Sequence, residues 1–327
     1  MGDADPTTIT TPAAGGPDAE ELTPVQQRTL AVLRRSGEPL EFDPLFVDEI
    51  RAAARDSVDE VSRRLGDDDE LWVSKHRIAT VLDCEEHHLQ PDEFAWSAAN
   101  ATGTIAHKAI ELLVSWPTRR GRPTPIDLVD EALARLAADT RGISEWVAAL
   151  SPADEAEVRS RTTVRVTQFL ESFPPLRRNW APVTEASLRW PVSGSITLAG
   201  KVDLQIGRPS GRQSRKVIID LKTGRPNARH RQDLAFYALL ETLVREVPPR
   251  KVATFYLDAA DAHADDVTEG MLESALRRTI DAIHALVELE IEHRTPVRRP
   301  GAGCRWCPIA AGCAEGTAHL AARDADL

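Results

Sequence analysis

Residues 196–222 read ITLAGKVDLQIGRPSGRQSRKVIIDLK, two apolar-alternating runs around a loop rich in Gly, Pro, Ser and Arg. Period-two alternation predicts two strands. Val202, Leu204 and Ile206 fall on one face and leave Lys201, Asp203 and Gln205 on the other, while Val217, Ile219 and Leu221 oppose Asp220 and Lys222. If residues 207–215 close a symmetric antiparallel hairpin, its midpoint lies between Gly211 and Arg212, and Asp203 stands opposite Asp220. Two carboxylates roughly 5 Å apart across a ladder repel each other. A cation between them removes the conflict, and Mg²⁺ or Mn²⁺ suits such oxygen donors. Lys222, two residues beyond Asp220, would point at the same place and steady charge on a phosphate. Taken alone, Asp-x-Lys is equally compatible with a solvent-facing hairpin carrying an ordinary ion pair.

Working outward, Val183–Trp190 alternates and predicts a strand before this pair. After it come a helix over about 228–246, a strand over Lys251–Leu257 and a long helix over about 267–292, giving the order β-β-β-α-β-α. Upstream, apolar spacing between Leu22 and Leu65 predicts two amphipathic helices. Further helices are expected at 74–82, 97–115, 126–138 and 154–172, broken at Pro117, Pro123, Pro125 and Pro152. Residues 1–20 have no apolar periodicity and read as a disordered acidic tail. The expectation is an α/β fold with a mixed central sheet and a mainly helical N-terminal half.

The chain has 327 residues, 42% hydrophobic and 28% charged, enough to bury a sizeable core. No signal peptide or membrane-length apolar run is visible, so the expected location is the cytoplasm, with no membrane partner. The net charge of −11 argues against phosphate binding until its distribution is read. Residues 1–70 hold 17 acidic against 7 basic side chains, leaving 34 against 33 in 71–327. The body is nearly neutral and carries basic groups such as Arg225, Arg229 and Arg231.

Four cysteines complete the inventory. Cys304, Cys307 and Cys313 follow a C-x2-C-x5-C spacing, and Cys84 lies about 220 residues upstream. In a reducing compartment this layout reads as a metal staple rather than disulfides. Pro300, Gly301, Gly303, Pro308 and Gly312 supply turns around it. Spacing alone does not separate zinc from iron.

Three motifs then coincide: Gly103-Thr-Ile-Ala-His107-Lys-Ala-Ile-Glu111, Gly200-Lys-Val-Asp203 and Ile219-Asp220-Leu-Lys222-Thr-Gly. With the cysteines, they resemble the RecB-like branch of the PD-(D/E)XK nuclease superfamily, found in AddB-type helicase-nucleases and CRISPR-associated iron-sulfur exonucleases. The resemblance covers about residues 74–315. It implies a restriction-endonuclease-like core, with His107, Asp203 and Asp220 as metal ligands, Lys222 as the catalytic lysine and Glu185 as an acidic neighbour of the site. It also implies a 4Fe-4S cluster on Cys84, Cys304, Cys307 and Cys313, in preference to zinc, pinning the ends together. Relatives carry Gln-x3-Tyr on the following helix. Here Asp233 holds that spacing to Tyr237 and Gln232 comes one residue early, about 100° around the helix, so Gln232 and Tyr237 are the candidate DNA contacts.

The implied organisation is a tail at 1–20, a helical segment at 21–73, a nuclease domain at 74–315 and a C-terminal tail at 316–327. The implied activity is metal-dependent DNA hydrolysis, exonucleolytic or directed at single strands and ends, in repair, recombination or phage defence. No Gly-x4-Gly-Lys-Ser/Thr motif is present, so unwinding would need a helicase or another repair or defence protein. The competing expectation is a nonhydrolytic DNA-end-binding or scaffold subunit.

Overall fold

A computed structural model describes residues 21–325 except 36, 92–93, 118–119, 138–141 and 193. The tail expected at 1–20 lies outside the described residues. The helices are α1 (Pro24–Leu33), α2 (Pro44–Ser62), α3 (Lys75–Asp83), α4 (Glu85–His88), α5 (Ala98–Ser115), α6 (Pro125–Leu136), α7 (Ile143–Ala148), α8 (Pro152–Ser172), α9 (Ala228–Arg245), α10 (Glu269–Glu290) and α11 (Ala314–Ala325). The strands are β1 (Leu40–Glu41), β2 (Leu71–Val73), β3 (Val183–Val192), β4 (Ile196–Ile206), β5 (Gln213–Ser214), β6 (Val217–Lys222), β7 (Lys251–Tyr256) and β8 (Asp261–Asp266). Helix starts follow their caps: Thr23, Ser97 and Thr124 each form a reciprocal capping box.

Six strands form a mixed sheet. β4 pairs along one edge with β3, antiparallel. Its other edge is shared: β2 runs parallel to Ile196–Leu198, and β6 runs antiparallel to Leu204–Ile206. β7 continues parallel to β6, and β8 closes the sheet antiparallel to β7. Helices cover both faces, as a sheet buried on both sides requires. One core gathers Val58, Leu198, Val202, Ile218, Leu239 and Ile283 from α2, the sheet, α9 and α10. The other gathers Ile105, Leu128, Phe169, Leu204, Ile219 and Phe255 from α5, α6, α8 and the opposite face.

The hairpin register follows the symmetric expectation, with Leu204 opposite Ile219, Gln205 opposite Ile218 and Ile206 opposite Val217. Gly207 opens the connection with φ of 85°, and a Cβ there would meet the Arg215 carbonyl oxygen at 2.6 Å, so only glycine fits. The ladder stops one residue short of Asp203 and Asp220. Between β2 and β6, residues 199–203 of β4 therefore have no strand on that edge. This gap is where the site forms.

Two expectations need correction. Val202, Leu204 and Ile206 do not share a face: Val202 packs beneath α9 and α10, whereas Leu204 and Ile206 pack beneath α5 and α8. The strand changes sides at Asp203, opposite the point where β3 is distorted by Glu185 at φ 53°. The order β-β-β-α-β-α leaves out β8, whose Asp-Ala-His-Ala-Asp-Asp has almost no apolar alternation. It is a half-exposed edge strand recruited by backbone pairing to β7.

The iron-sulfur staple is also overturned. All four cysteines are free thiols lining a cavity of about 20 Å³, room for about one water-sized sphere. Among the described residues, no group of three or more His, Cys, Asp or Glu side chains is placed to hold a metal ion, which removes zinc as well. Charge joins the ends instead. Glu85, 2% exposed, accepts hydrogen bonds from Arg294 Nη1 at 3.0 Å, Val297 N at 2.7 Å and Arg299 Nη2 at 2.9 Å. Spacing counts positions along a chain and is blind to ionic contacts of this kind.

Candidate active site

The gap beside β4 opens into a cleft of about 790 Å³. Its floor depends on two glycines. A Cβ on Gly200 would lie 2.8 Å from Tyr237 Cε1 and 3.1 Å from Leu240 Cδ2, so glycine is what lets α9 seat on β4. A Cβ on Gly103 would lie 3.3 Å from Thr223 Oγ1, so α5 passes close to the end of β6 and carries His107, one turn later, over the cleft.

Asp203 stands at the splay point. Its Oδ2 accepts from the Leu221 N–H at 2.7 Å, satisfying a backbone donor on the free edge of β6. Its Oδ1 lies 3.6 Å from His107 Nδ1. Burial pushes the Asp203 carboxyl up, but His107, the Leu221 N–H and Lys75 outweigh it and hold the group below its ordinary value. Burial pulls His107 down, but Asp203, with Asp220 and Glu185 further off, raises it above the usual imidazole range.

Asp220 is 1% exposed and sits between two ammonium groups. Lys75 Nζ is 3.1 Å from Oδ1, and Lys222 Nζ is 2.7 Å from Oδ2. The second contact lacks hydrogen-bond geometry, leaving Oδ2 buried without a hydrogen-bond partner. Lys75 also lies 4.7 Å from the centre of the Tyr237 ring. Burial works to lower the Lys75 pKa, yet Asp220, Asp233 and Asp203 together raise it. Asp233 lies 3.9 Å from Lys75 and 3.8 Å from Lys222. Burial raises its pKa by more than the two lysines lower it.

The structure thus brings His107, Asp203, Asp220 and Lys222 to one cleft, with Tyr237 beneath and Glu185 at its rim. Tyr237 is 3% exposed and donates its hydroxyl to the Lys201 carbonyl at 2.6 Å. Burial and the nearby Asp220 and Asp203 raise its pKa. Glu185 pairs with Lys201. Gln232 is not brought in: it lines a separate cleft between α9 and α10.

The expected Mg²⁺ or Mn²⁺ centre is not assembled, since no three-ligand cluster exists among the described residues. The repulsion between the two carboxylates is relieved from within the chain, by His107 at Asp203 and by Lys75 and Lys222 at Asp220. The donor chemistry still suits a hard cation: two carboxylates and one imidazole, with the buried Asp220 Oδ2 ion-paired to Lys222 but accepting no hydrogen bond. Sequence reading missed Lys75, because nothing in a lysine at a helix start signals a partner 145 residues away. Asp233 was visible only as the residue standing four before Tyr237.

The profile of the PD-(D/E)XK nuclease superfamily matches residues 73–314. No curated protein matches the chain. Among solved structures, an exonuclease-named protein from Eubacterium rectale superposes with a TM-score of 0.47 at 11% identity, covering 84% of this chain and 93% of its own. The protein named SSO0001 superposes with a TM-score of 0.30 at 16% identity, covering 66% of this chain and 96% of its own. Rai1 from Scheffersomyces stipitis gives 0.24 at 10%, covering 77% and 68%. Likenesses this distant carry no argument about substrate.

Proposed function

The chain belongs to the PD-(D/E)XK nuclease superfamily, and from that membership we propose that it is a DNA nuclease acting from ends or on single strands. Metal-assisted phosphodiester cleavage is the chemistry the superfamily membership supports in general. The observation that carries the reading is the meeting of His107, Asp203, Asp220 and Lys222 in the one cleft, at the only stretch of β4 without a strand on its second edge among the described residues.

In this reading His107, Asp203 and Asp220 would hold a divalent cation. When bound, the cation would polarise a phosphate oxygen and lower the pKa of the attacking water. Lys222, held 2.7 Å from Asp220, places an ammonium beside the phosphate and stabilises charge developing on its oxygens. Asp203 orients the His107 imidazole, and the Leu221 N–H fixes Asp203 in turn. Tyr237, its hydroxyl committed to the Lys201 carbonyl, shapes the floor and supports Lys75.

The test is cleavage of labelled linear single-stranded, linear duplex and circular DNA, with Mg²⁺, with Mn²⁺ and with EDTA. Cation-dependent loss of the linear substrates, absent in Asp220→Ala and Lys222→Ala, is the expected result. DNA binding with no cleavage under any of these conditions would overturn the enzyme in favour of a DNA-end-binding scaffold.

A further inference from the structure

A second cleft of about 620 Å³ lies between α9 and α10, within the size range of small-ligand pockets. Lys75 lines both this cleft and the candidate active site, so the two are neighbours across one side chain. Phe236 and Met271 contribute an apolar wall, and Gln232, Ser274 and Arg278 contribute polar groups.

Arg278 is the informative residue. Among the described residues it makes neither a hydrogen bond nor an ion pair, and it is half-buried. Its cationic neighbours are already matched: Arg229 is 2.6 Å from Asp83, and Arg231 lies 2.9 Å from Asp265. The acidic side chains of the cleft are matched too, Asp265 by Arg231, Asp266 by Lys251 at 2.9 Å, and Asp233 by Lys75 and Lys222. Burial pulls the Arg278 pKa down by more than the nearby Asp83 and Asp233 raise it, and neither carboxylate makes a direct contact with the guanidinium. A guanidinium in this condition, beside an apolar wall and an amide, is suited to a phosphate whose attached base or sugar covers the wall.

We propose that the α9–α10 cleft binds one nucleotide unit, its phosphate on Arg278 and its base against Phe236 and Met271, next to the phosphodiester held at Lys75 and Lys222. This assignment rests on the nuclease reading and gives Gln232 a role on the second cleft rather than at the scissile bond. The unit is either part of the bound strand or a nucleoside monophosphate released by cleavage.

The experiment compares wild type with Arg278→Ala, Ser274→Trp and the distant control Arg161→Ala, each checked for an unchanged thermal melt. Binding of a fluorescent single-stranded oligonucleotide is measured by anisotropy in EDTA across a salt series, and inhibition of wild-type and variant cleavage is measured with dAMP. A strand unit predicts oligonucleotide binding weakened about tenfold in both cleft variants. Its log–log salt slope would be shallower by about 0.7 in Arg278→Ala. A product unit predicts unchanged oligonucleotide binding but dAMP inhibition weakened by a similar factor. Wild-type cleavage with both readouts unchanged in both variants would overturn the second site and leave the nuclease standing. A wild type that neither cleaves nor binds DNA would overturn both.

Discussion

Lys75 reaches Asp220 from 145 residues away, its Nζ 3.1 Å from Oδ1. On the proposed reading a divalent cation bound at Asp220 would compete with this ammonium for the carboxylate. Replacing Lys75 with Met removes the competitor. We expect the Mn²⁺ concentration for half-maximal cleavage to fall about five- to tenfold, equivalent to about 1 kcal/mol of relieved repulsion in a partly solvated site. A midpoint that stays put or rises would show that Lys75 supports the ion rather than opposing it.

On the proposed mechanism Lys222 and Asp203 act at the reacting centre. Lys222→Ala and Asp203→Asn are expected to lower the cleavage rate at saturating cation by about 10² or more. Asp203→Asn also weakens the acceptor for the Leu221 N–H and so costs some stability, which the melt will register. Full-rate cleavage by either variant would remove that residue from the mechanism.

Gly200 has no room for a methyl group, with Tyr237 Cε1 at 2.8 Å and Leu240 Cδ2 at 3.1 Å from an added Cβ. Gly200→Ala must push α9 off β4 and is expected to destabilise the fold by about 1–3 kcal/mol. Tyr237→Phe loses only the bond to the Lys201 carbonyl, about 1 kcal/mol. Denaturant midpoints for the two variants check the order, which reverses if the ring packing is loose.

Glu85 supplies a pH dependence. Burial raises its carboxyl pKa, but Arg294, the Val297 N–H and Arg299 outweigh that and leave it below its ordinary value. A depressed carboxylate stabilises the fold fully above its unfolded value and loses that contribution as pH falls through the folded one. Wild type should therefore lose stability below about pH 4.5 with a share that Glu85→Gln lacks. Near neutral pH the variant should be weaker by about 3 kcal/mol, because three donors lose a buried anion. Parallel stability–pH curves for the two proteins would show that the clamp is not electrostatic.

Much of the hairpin was legible because strand alternation and loop symmetry are local properties. The pairing of Leu204 with Ile219 follows from chain arithmetic once both runs are read as strands. His107 could be placed only through Gly103 and motif spacing, and the reason for Gly103, its approach to Thr223, is invisible without coordinates. The cysteines mark the opposite case. Their spacing suggested a metal centre, yet the contacts joining those segments are the carboxylate and guanidinium groups of Glu85, Arg294 and Arg299.

The sequence by itself determined the longer elements, such as β3, β4, β6, β7, α9 and α10, the buried runs such as Val217–Leu221 and the acidic and basic groups available for chemistry, because each is read within a few residues. Only the tertiary structure decided that β4 parts from β6 at Asp203, that Lys75 joins Lys222 at Asp220, and that Gln232 faces a different cleft from Tyr237. Those facts depend on where distant helices pack over a splayed sheet edge, which the local pattern of a chain does not encode in readable form.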